Sequence, residues 1–312
     1  MTTRRAALIG LGAASTLAAC SRSPARPAVD VVAAGQPAAL LIWAVARDRL
    51  AGWPMKPDPD CLKGLPASAA GLPELGSLVG PLRKTTPEAV AALNPTMIID
   101  YGDAEPFNVA EGEALSEQIG VQWHLIDGHL PNIPAAFRRA GELLDARQRG
   151  ESLAQEAERI LNLWHRIPHG PSFYYAKGAD GLRTGFAGSL STEVLDGAGW
   201  TNVAVGQEGL GRVTLDQVVA WDPEVLVTLS PRFVETAMAN PAWRLRPNGR
   251  RRRILLMPDR PFGWVDRPPS VNRLLGCAWL TGSEEGTIAL SMLDRRLYGM
   301  APVESARPRW ID

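Results

Sequence analysis

The sequence predicts an α/β protein of two similar lobes, joined by a single long helix, with a ligand cleft between them. Three observations carry this. Strand-like and helix-like segments alternate through residues 29–143, and the alternation restarts at residue 172, as parallel sheets require. The stretch TPEAVAALNPTMII at 86–99 is echoed by TLDQVVAWDPEVLV at 214–227. Thr86 meets Thr214, Glu88 meets Asp216, Val90 meets Val218 and Pro95 meets Pro223, at a constant offset of 128 residues. Between the two, SLAQEAERILNLWHRI at 152–167 sets Leu153, Ala157, Ile160, Leu161, Trp164 and Ile167 at helical spacing. The predicted class is therefore two Rossmann-like lobes with parallel sheets on either side of one connecting helix. Such a helix bends less than a pair of loops, so a small closing motion is expected.

The expected division is a signal peptide at 1–19, a lipidated tether at 20–28, an N-terminal lobe at 29–148, the connecting helix at 149–168, a C-terminal lobe at 169–299 and a tail at 300–312. A length of 312 residues suits about two domains of roughly 100–200 residues each. With 33 basic and 33 acidic side chains, nothing marks a polyanion partner. The run RRRR at 250–253 precedes the apolar ILLM and reads as a solvated strand entry rather than a nucleic-acid patch.

The segment MTTRRAALIGLGAASTLAAC has two arginines, an uncharged run from Ala6 to Ala19, and then Cys20. That run is too short for a mature transmembrane helix and suits a signal peptide. Thr3 to Leu8 partly resembles a twin-arginine export signal, with Ala7 where such signals prefer Phe. Leu17-Ala18-Ala19-Cys20 resembles a bacterial lipobox, in which the Cys20 thiol takes the lipid; the alternative is an ordinary signal peptide with an incidental cysteine. Cleavage before Cys20 removes Arg4 and Arg5 and leaves 31 basic against 33 acidic side chains. SRSPARPA at 21–28 reads as a flexible tether. A lipid on a tether holds a folded body at a membrane surface without spanning it. Cys61 and Cys277 fall in different lobes, where a bridge would restrict their motion, and are read as unpaired thiols.

VDVVAAG at 29–35 is the first strand, and PAALLIWAVARDRLAGW continues as a helix. Pro54 to Pro81 is rich in Pro and Gly and reads as mostly loop. In the first repeat copy Thr86 caps a helix, Pro87 occupies its first position and Glu88 its first turn. Asn94-Pro95 stops it. MIID (97–100) is a strand, YGDAEP a polar loop, ALSEQIG (114–120) a helix ended by Gly120, and VQWHLID (121–127) a strand. In the second half SFYYAKG (172–178) is a strand and STEVLDGAG (191–199) a helix. The second repeat copy gives a helix and the strand EVLVTL (224–229), and ILLMPD (254–259) is a strand. PPSVNRLLGCAWL (268–280) and EEGTIALSMLDRRLYG (284–299) are the last helices.

No nucleophile elbow, zincin helix, phosphate loop or paired CxxC occurs, so no chemistry on a substrate is expected. His165 and His169 have a metal spacing, but Pro168 interrupts any shared helical face.

The segments LVGPLRKTTPEAVAALNPTMIID, FRRAGELLDARQRGESLAQEAERI, GSLSTEVLDGAGWTNVA and VTLDQVVAWDPEVLVTL, in that order and spacing, carry a resemblance. From Val29 to Leu280 the chain resembles the periplasmic substrate-binding proteins of ABC transporters of the iron-siderophore and vitamin B12 (cobalamin) type. The resemblance implies an extracytoplasmic, membrane-anchored lipoprotein, monomeric, without a resident cofactor or metal. It would pass a metal chelate (a ferric siderophore, a corrinoid or haem) to an ABC permease and its ATPase. It also implies that Glu88 and Asp216 are the acids, one per lobe, that meet permease arginines. Their bland reading is compensation of the helix dipole. Alternatives are a molybdate or tungstate receptor and a structural or sensory lipoprotein that kept the fold.

Ligands of open α/β sheets bind beyond the carboxyl ends of the strands. That places Gln36 and Tyr101 on the first lobe's side of the cleft. Arg183, Arg232, Trp264 and Arg267 stand on the second lobe's side. Trp264 and Arg267, followed by Pro268-Pro269-Ser270 opening a helix, suit an anionic, partly aromatic ligand. The bland reading puts Trp264 in the core and pairs Arg267 with Asp266 or another surface acid. Tyr101 is also a residue type that ligates haem iron.

Overall fold

The first lobe is a three-stranded parallel sheet in the order β1-β2-β3, formed by β1 (Val31–Ala33), β2 (Met97–Gly102) and β3 (Trp123–Asp127). The computed structural model describes residues 30–80, 83–299 and 308–311. The expected signal peptide, Cys20, the tether, and residues 300–307 and 312 of the expected tail lie outside the described residues.

Among the described residues this lobe has six α-helices: α1 (Gln36–Ala46), the single-turn α2 (Pro59–Leu62) and α3 (Ser68–Gly71), α4 (Pro87–Ala91), α5 (Pro106–Ile119) and α6 (Ile133–Leu143). The helix expected from Ala114 begins at Pro106. Its buried positions are Gly112, Leu115 and Ile119. Gly112 lies against the Trp123 ring, where a Cβ would come within 2.7 Å of Nε1. A glycine thus occupies the site of an apolar residue, and the helical stripe is invisible over the first two turns.

The connecting helix is α7 (Arg147–Trp164). The second lobe follows as β4 (Ser172–Tyr175), β5 (Arg183–Gly185), α8 (Glu193–Asp196), β6 (Thr201–Asn202), β7 (Leu210–Arg212) and α9 (Leu215–Trp221). It continues with β8 (Val225–Thr228), α10 (Pro231–Ala239), α11 (Pro241–Arg244), β9 (Arg253–Leu256), α12 (Arg273–Leu280), α13 (Glu284–Tyr298) and β10 (Arg309–Ile311). Its sheet runs β10-β9-β8-β4-β6, parallel except for β10, which pairs antiparallel with β9. Residues 309–311, read from sequence as tail, therefore close one sheet edge. A separate two-stranded antiparallel sheet pairs β5 with β7, which α8 and β6 separate in the chain.

The two repeat copies occupy equivalent places. Thr86 Oγ1 accepts the Ala89 N–H at 3.2 Å, and Thr214 Oγ1 accepts the Gln217 N–H at 3.2 Å. The second cap is stronger, because the Gln217 side chain also accepts the Thr214 N–H at 2.8 Å, completing a capping box. Val90 and Val218 are buried at the same register. Asn94 and Asp222 each take a left-handed backbone, φ 51° and 47°, and turn the chain into β2 and β8. Asp222 also holds Arg246 at 2.9 Å and Arg252 at 3.2 Å. This corrects the reading of the RRRR run as wholly solvated. Arg252 is buried and donates to the carbonyls of Pro223 at 3.2 Å and Leu245 at 2.6 Å.

One apolar core runs through both lobes. It contains Leu41 and Trp43 of α1, Phe137 of α6, Leu153 and Ile160 of α7, Phe173 and Tyr175 of β4, Leu274 of α12 and Leu293 of α13. The α7 helix packs on α6, α12 and α13, and α13 also touches α1. The lobes are thus joined by a packed layer of helices in addition to the covalent rod.

Candidate ligand seam between the lobes

The loops at the carboxyl ends of the two parallel sheets meet one another. After β3, Gly128 and His129 reach the second lobe. Arg273, fully buried at the start of α12, donates to the Gly128 carbonyl, to the Leu190 carbonyl at 3.0 Å and to Glu193. Glu193 Oε2 accepts the Leu130 N–H at 2.9 Å, and its Oε1 lies 2.7 Å from His129 Nδ1. Further along, Ser270 Oγ donates to the Pro37 carbonyl at 2.7 Å, and the rings of Trp53 and Phe262 lie 6.2 Å apart. Arg260 pairs with Asp60 at 2.8 Å. Sequence reasoning missed Arg273, Glu193 and His129. The available signal was a charge inside the apolar RLLGCAWL, since an arginine buried there needs fixed partners.

The loop 263–270 positions the second lobe's candidates. Gly263 N–H donates to the Arg267 carbonyl at 3.2 Å, and Trp264 N–H to the Pro258 carbonyl at 3.1 Å. Asn272 Nδ2 donates to the carbonyls of Gly263 and of Pro268, the latter at 3.0 Å. A Cβ on Gly263 would fall 1.9 Å from the Asp266 carbonyl oxygen, so the turn admits only glycine. Pro268-Pro269-Ser270 does not open the helix as expected; α12 starts at Arg273. Consecutive prolines supply no N–H and disfavour helical backbone before them, and Ser270 faces Pro37 instead.

Trp264 is 4% exposed and belongs to the shared core, so the structure withdraws it from the seam's surface. Arg267 is exposed, at φ 70°, with its N–H donated to Asp266. Asp266 in turn meets the Lys177 ammonium; Asp266 is buried and Lys177 half-buried, with side chains 4% and 16% exposed. Lys177 follows β4 and lies over the Tyr175 ring at 5.1 Å. Its N–H donates to the Arg183 carbonyl at 2.8 Å. Burial, then the charges of Arg183 and Arg267, push the Lys177 pKa down to about 7, against the Asp266 carboxylate in contact, which favours the charged form. Arg183 is exposed on β5; Arg232 is exposed in the first turn of α10, beyond β8. None of the Arg183, Arg232 and Arg267 guanidiniums has a hydrogen bond or ion pair among the described residues. The expected pairing of Arg267 with Asp266 is therefore through its backbone alone.

On the first lobe Gln36 is half-buried, next to the Pro37 carbonyl that Ser270 reaches, and its Oε1 accepts the Met55 N–H at 3.1 Å. Gln36 and Arg267 thus flank the same seam. Tyr101 is buried. Its hydroxyl has no hydrogen-bond partner among the described residues, though it lies close enough to Arg273 to feel that charge; burial pushes its pKa up to about 12. Beyond β2 a cavity of about 560 Å³ opens beside α5, lined by Arg83, Asp100, Asp103, Phe107, Glu111 and Leu125 among others. Burial, and then the charge of Glu111, outweigh the hydrogen bond from the Tyr101 N–H and raise Asp100 to about 6. Asp103 lies 3.8 Å from His129 Nε2.

Glu88 and Asp216 are both exposed at the second position of their capped helices. Glu88 accepts from Gln118 Nε2 at 3.1 Å, and its carboxyl pKa is lowered by hydrogen bonds from its own N–H, Thr86 and Gln118. Cys61 and Cys277 are free thiols. Among the described residues no group of three His, Cys, Asp or Glu side chains is placed to hold a metal ion. His165 lies just past the end of α7, so His165 and His169 share no helical face.

Two α/β lobes on a helical backbone, with their strand ends facing across a seam, define the fold of the periplasmic solute-binding proteins of ABC transporters. An ABC transporter solute-binding protein from Sulfurospirillum deleyianum has this fold, with a TM-score of 0.78 and 24% identity over 89% of this chain and 92% of that one. The molybdate periplasmic binding protein MolA of Haemophilus influenzae matches with a TM-score of 0.66 and 15% identity, over 90% and 95% of the two chains. The vitamin B12-binding protein BtuF of Vibrio cholerae matches with a TM-score of 0.57 and 17% identity, over 84% and 98%. No protein-family model and no curated protein matches the sequence.

Proposed function

We propose that this protein is an extracytoplasmic solute receptor, anchored through a lipid on Cys20, that captures a metal chelate between its lobes and delivers it to an ABC permease and its ATPase. The observation that carries the reading is the pair of exposed acids, Glu88 and Asp216, at the same position of two equivalent capped helices, one on each lobe. Dipole compensation would also place an acid in each first turn; a partner that grips both lobes in addition uses their exposure at equivalent positions. A ferric siderophore, a corrinoid or haem is the solute class, and no chemistry on it is proposed. The receptor acts as a monomer. Charge reversal tests delivery: Glu88→Lys with Asp216→Lys is expected to reduce solute uptake by cells at least about tenfold while the purified protein keeps its affinity. Unchanged uptake removes the permease from the proposal and leaves a sensory or structural lipoprotein.

The excess of cations at the second lobe's strand ends favours a second reading. It suits a compact oxyanion, molybdate or tungstate, and the fold is shared with a molybdate-binding protein.

A further inference from the structure

Three cations converge at the carboxyl end of β4. Lys177 follows the strand, Arg183 is tied to it by an antiparallel backbone bridge, and Arg267 is the chain neighbour of the acid that Lys177 holds. Asp266 is the acid in contact with Lys177, and both of its oxygens are occupied, one by the Lys177 ammonium and one by the Arg267 backbone N–H. Pairing a lysine with a single carboxylate neutralises one charge and leaves two exposed guanidiniums unopposed. Like charges held together in this way repel unless something neutralises them. The geometry is also stiff. Gly263, Asn272 and the Asp266 carboxylate fix the turn, so Arg267 is presented without choice of backbone, as a preorganised site requires. The position is the one where open α/β sheets receive ligands. Across the seam stands Gln36, with an amide for the solute's neutral groups.

We propose that Arg183 and Arg267 form an anion seat, with the Lys177–Asp266 pair as its base, and that the solute carries an anionic oxygen group which bridges the two guanidiniums. The group is a carboxylate of a metal chelate or the oxygens of a free oxyanion. The inference rests on the solute-receptor reading and narrows it, because it excludes uncharged and cationic chelates from this subsite. Arg232, beyond the neighbouring strand, is no part of the seat.

The test uses the intact chain and four probes: ferric citrate and haem as carboxylate-bearing complexes, molybdate as a free oxyanion, and ferrioxamine B as a cationic chelate. Binding is followed by calorimetry and tryptophan fluorescence. At least one anionic probe is expected to bind at micromolar levels. Arg183→Gln and Arg267→Gln, each exposed and so harmless to the fold, are each expected to weaken it about tenfold or more. Its affinity should also fall as ionic strength rises. Preference for ferric citrate or haem over molybdate names a chelate; the reverse names an oxyanion. Binding of ferrioxamine B alone, or anion binding that neither variant disturbs, overturns the seat and leaves the receptor reading in place. Failure of all four probes overturns the seat, whereas the receptor reading falls separately, on uptake by cells that ignores Glu88 and Asp216.

Discussion

Arg273 stands in an otherwise apolar helix and has no exposed surface, yet its guanidinium donates to three backbone carbonyls and one carboxylate. Three of its acceptors, Ser270, Leu190 and Glu193, are in the second lobe, while Gly128 is in the first. A planar fork serves these acceptors at once, which a point-charge ammonium cannot do. Arg273→Met therefore strands the half-buried Glu193 charge against only His129 and one backbone N–H. The expected cost is about 3–5 kcal/mol, read as a lowered urea midpoint. Arg273→Lys should recover only part of it. A variant within about 0.5 kcal/mol of wild type, the range of ordinary surface substitutions, would show that the arginine is not what holds the lobes in register.

At the scale of elements the repeat gives a differential prediction. Both helices begin with a threonine cap, but only Thr214 belongs to a reciprocal box with Gln217. Loss of an N-cap costs about 1 kcal/mol, so Thr214→Ala should destabilise more than Thr86→Ala in chemical denaturation. Equal costs would make the box irrelevant. These caps, the strand–helix alternation, the connecting helix and the halves themselves were legible in the sequence, because local residue chemistry specifies each of them. What was not legible follows from contacts made at a distance. Periodicity cannot show that Gly112 is a close approach to Trp123, nor that Arg309–Ile311 finds an edge on β9. For the site, residue type placed Trp264 and Arg267 beside one another but not on opposite sides of the surface. The turn that buries one and exposes the other depends on Asn272 and Gly263, which carry no such signal. Gln36 and Arg183 were named by the rule that loops after strands line the cleft, and Arg183 instead opens β5. Lys177 and Asp266 gain their meaning only from being paired.

The whole molecule behaves as one cooperative body if the shared core and the polar tie at the seam mean what their geometry says. Both lobes contribute to the largest of three apolar clusters among the described residues, so one unfolding transition is expected by calorimetry and by fluorescence; two separated transitions would contradict it. The tie adds a pH dependence. Burial works against charge on His129, but Glu193, with Asp127 and Asp103 behind it, outweighs burial and raises the histidine pKa. Arg273, bound to the same Glu193, is the cation facing the group. A raised folded pKa contributes stability that is fully present below the unfolded value of about 6.5 and is lost as pH rises through the folded value. Asp100 and Asp294, both raised to about 6 chiefly by burial, also favour the protonated folded state and tilt the same profile the same way. The overall slope therefore cannot identify the histidine, but the difference between wild type and His129→Gln does. Glutamine keeps a hydrogen bond to Glu193 and removes the titration. The wild type should gain stability relative to this variant as pH falls from about 8 to about 6, measured as a divergence of their denaturation midpoints. Parallel profiles would mean that His129 does not carry charge across the seam, and that the lobes are held by Arg273 and the shared core alone.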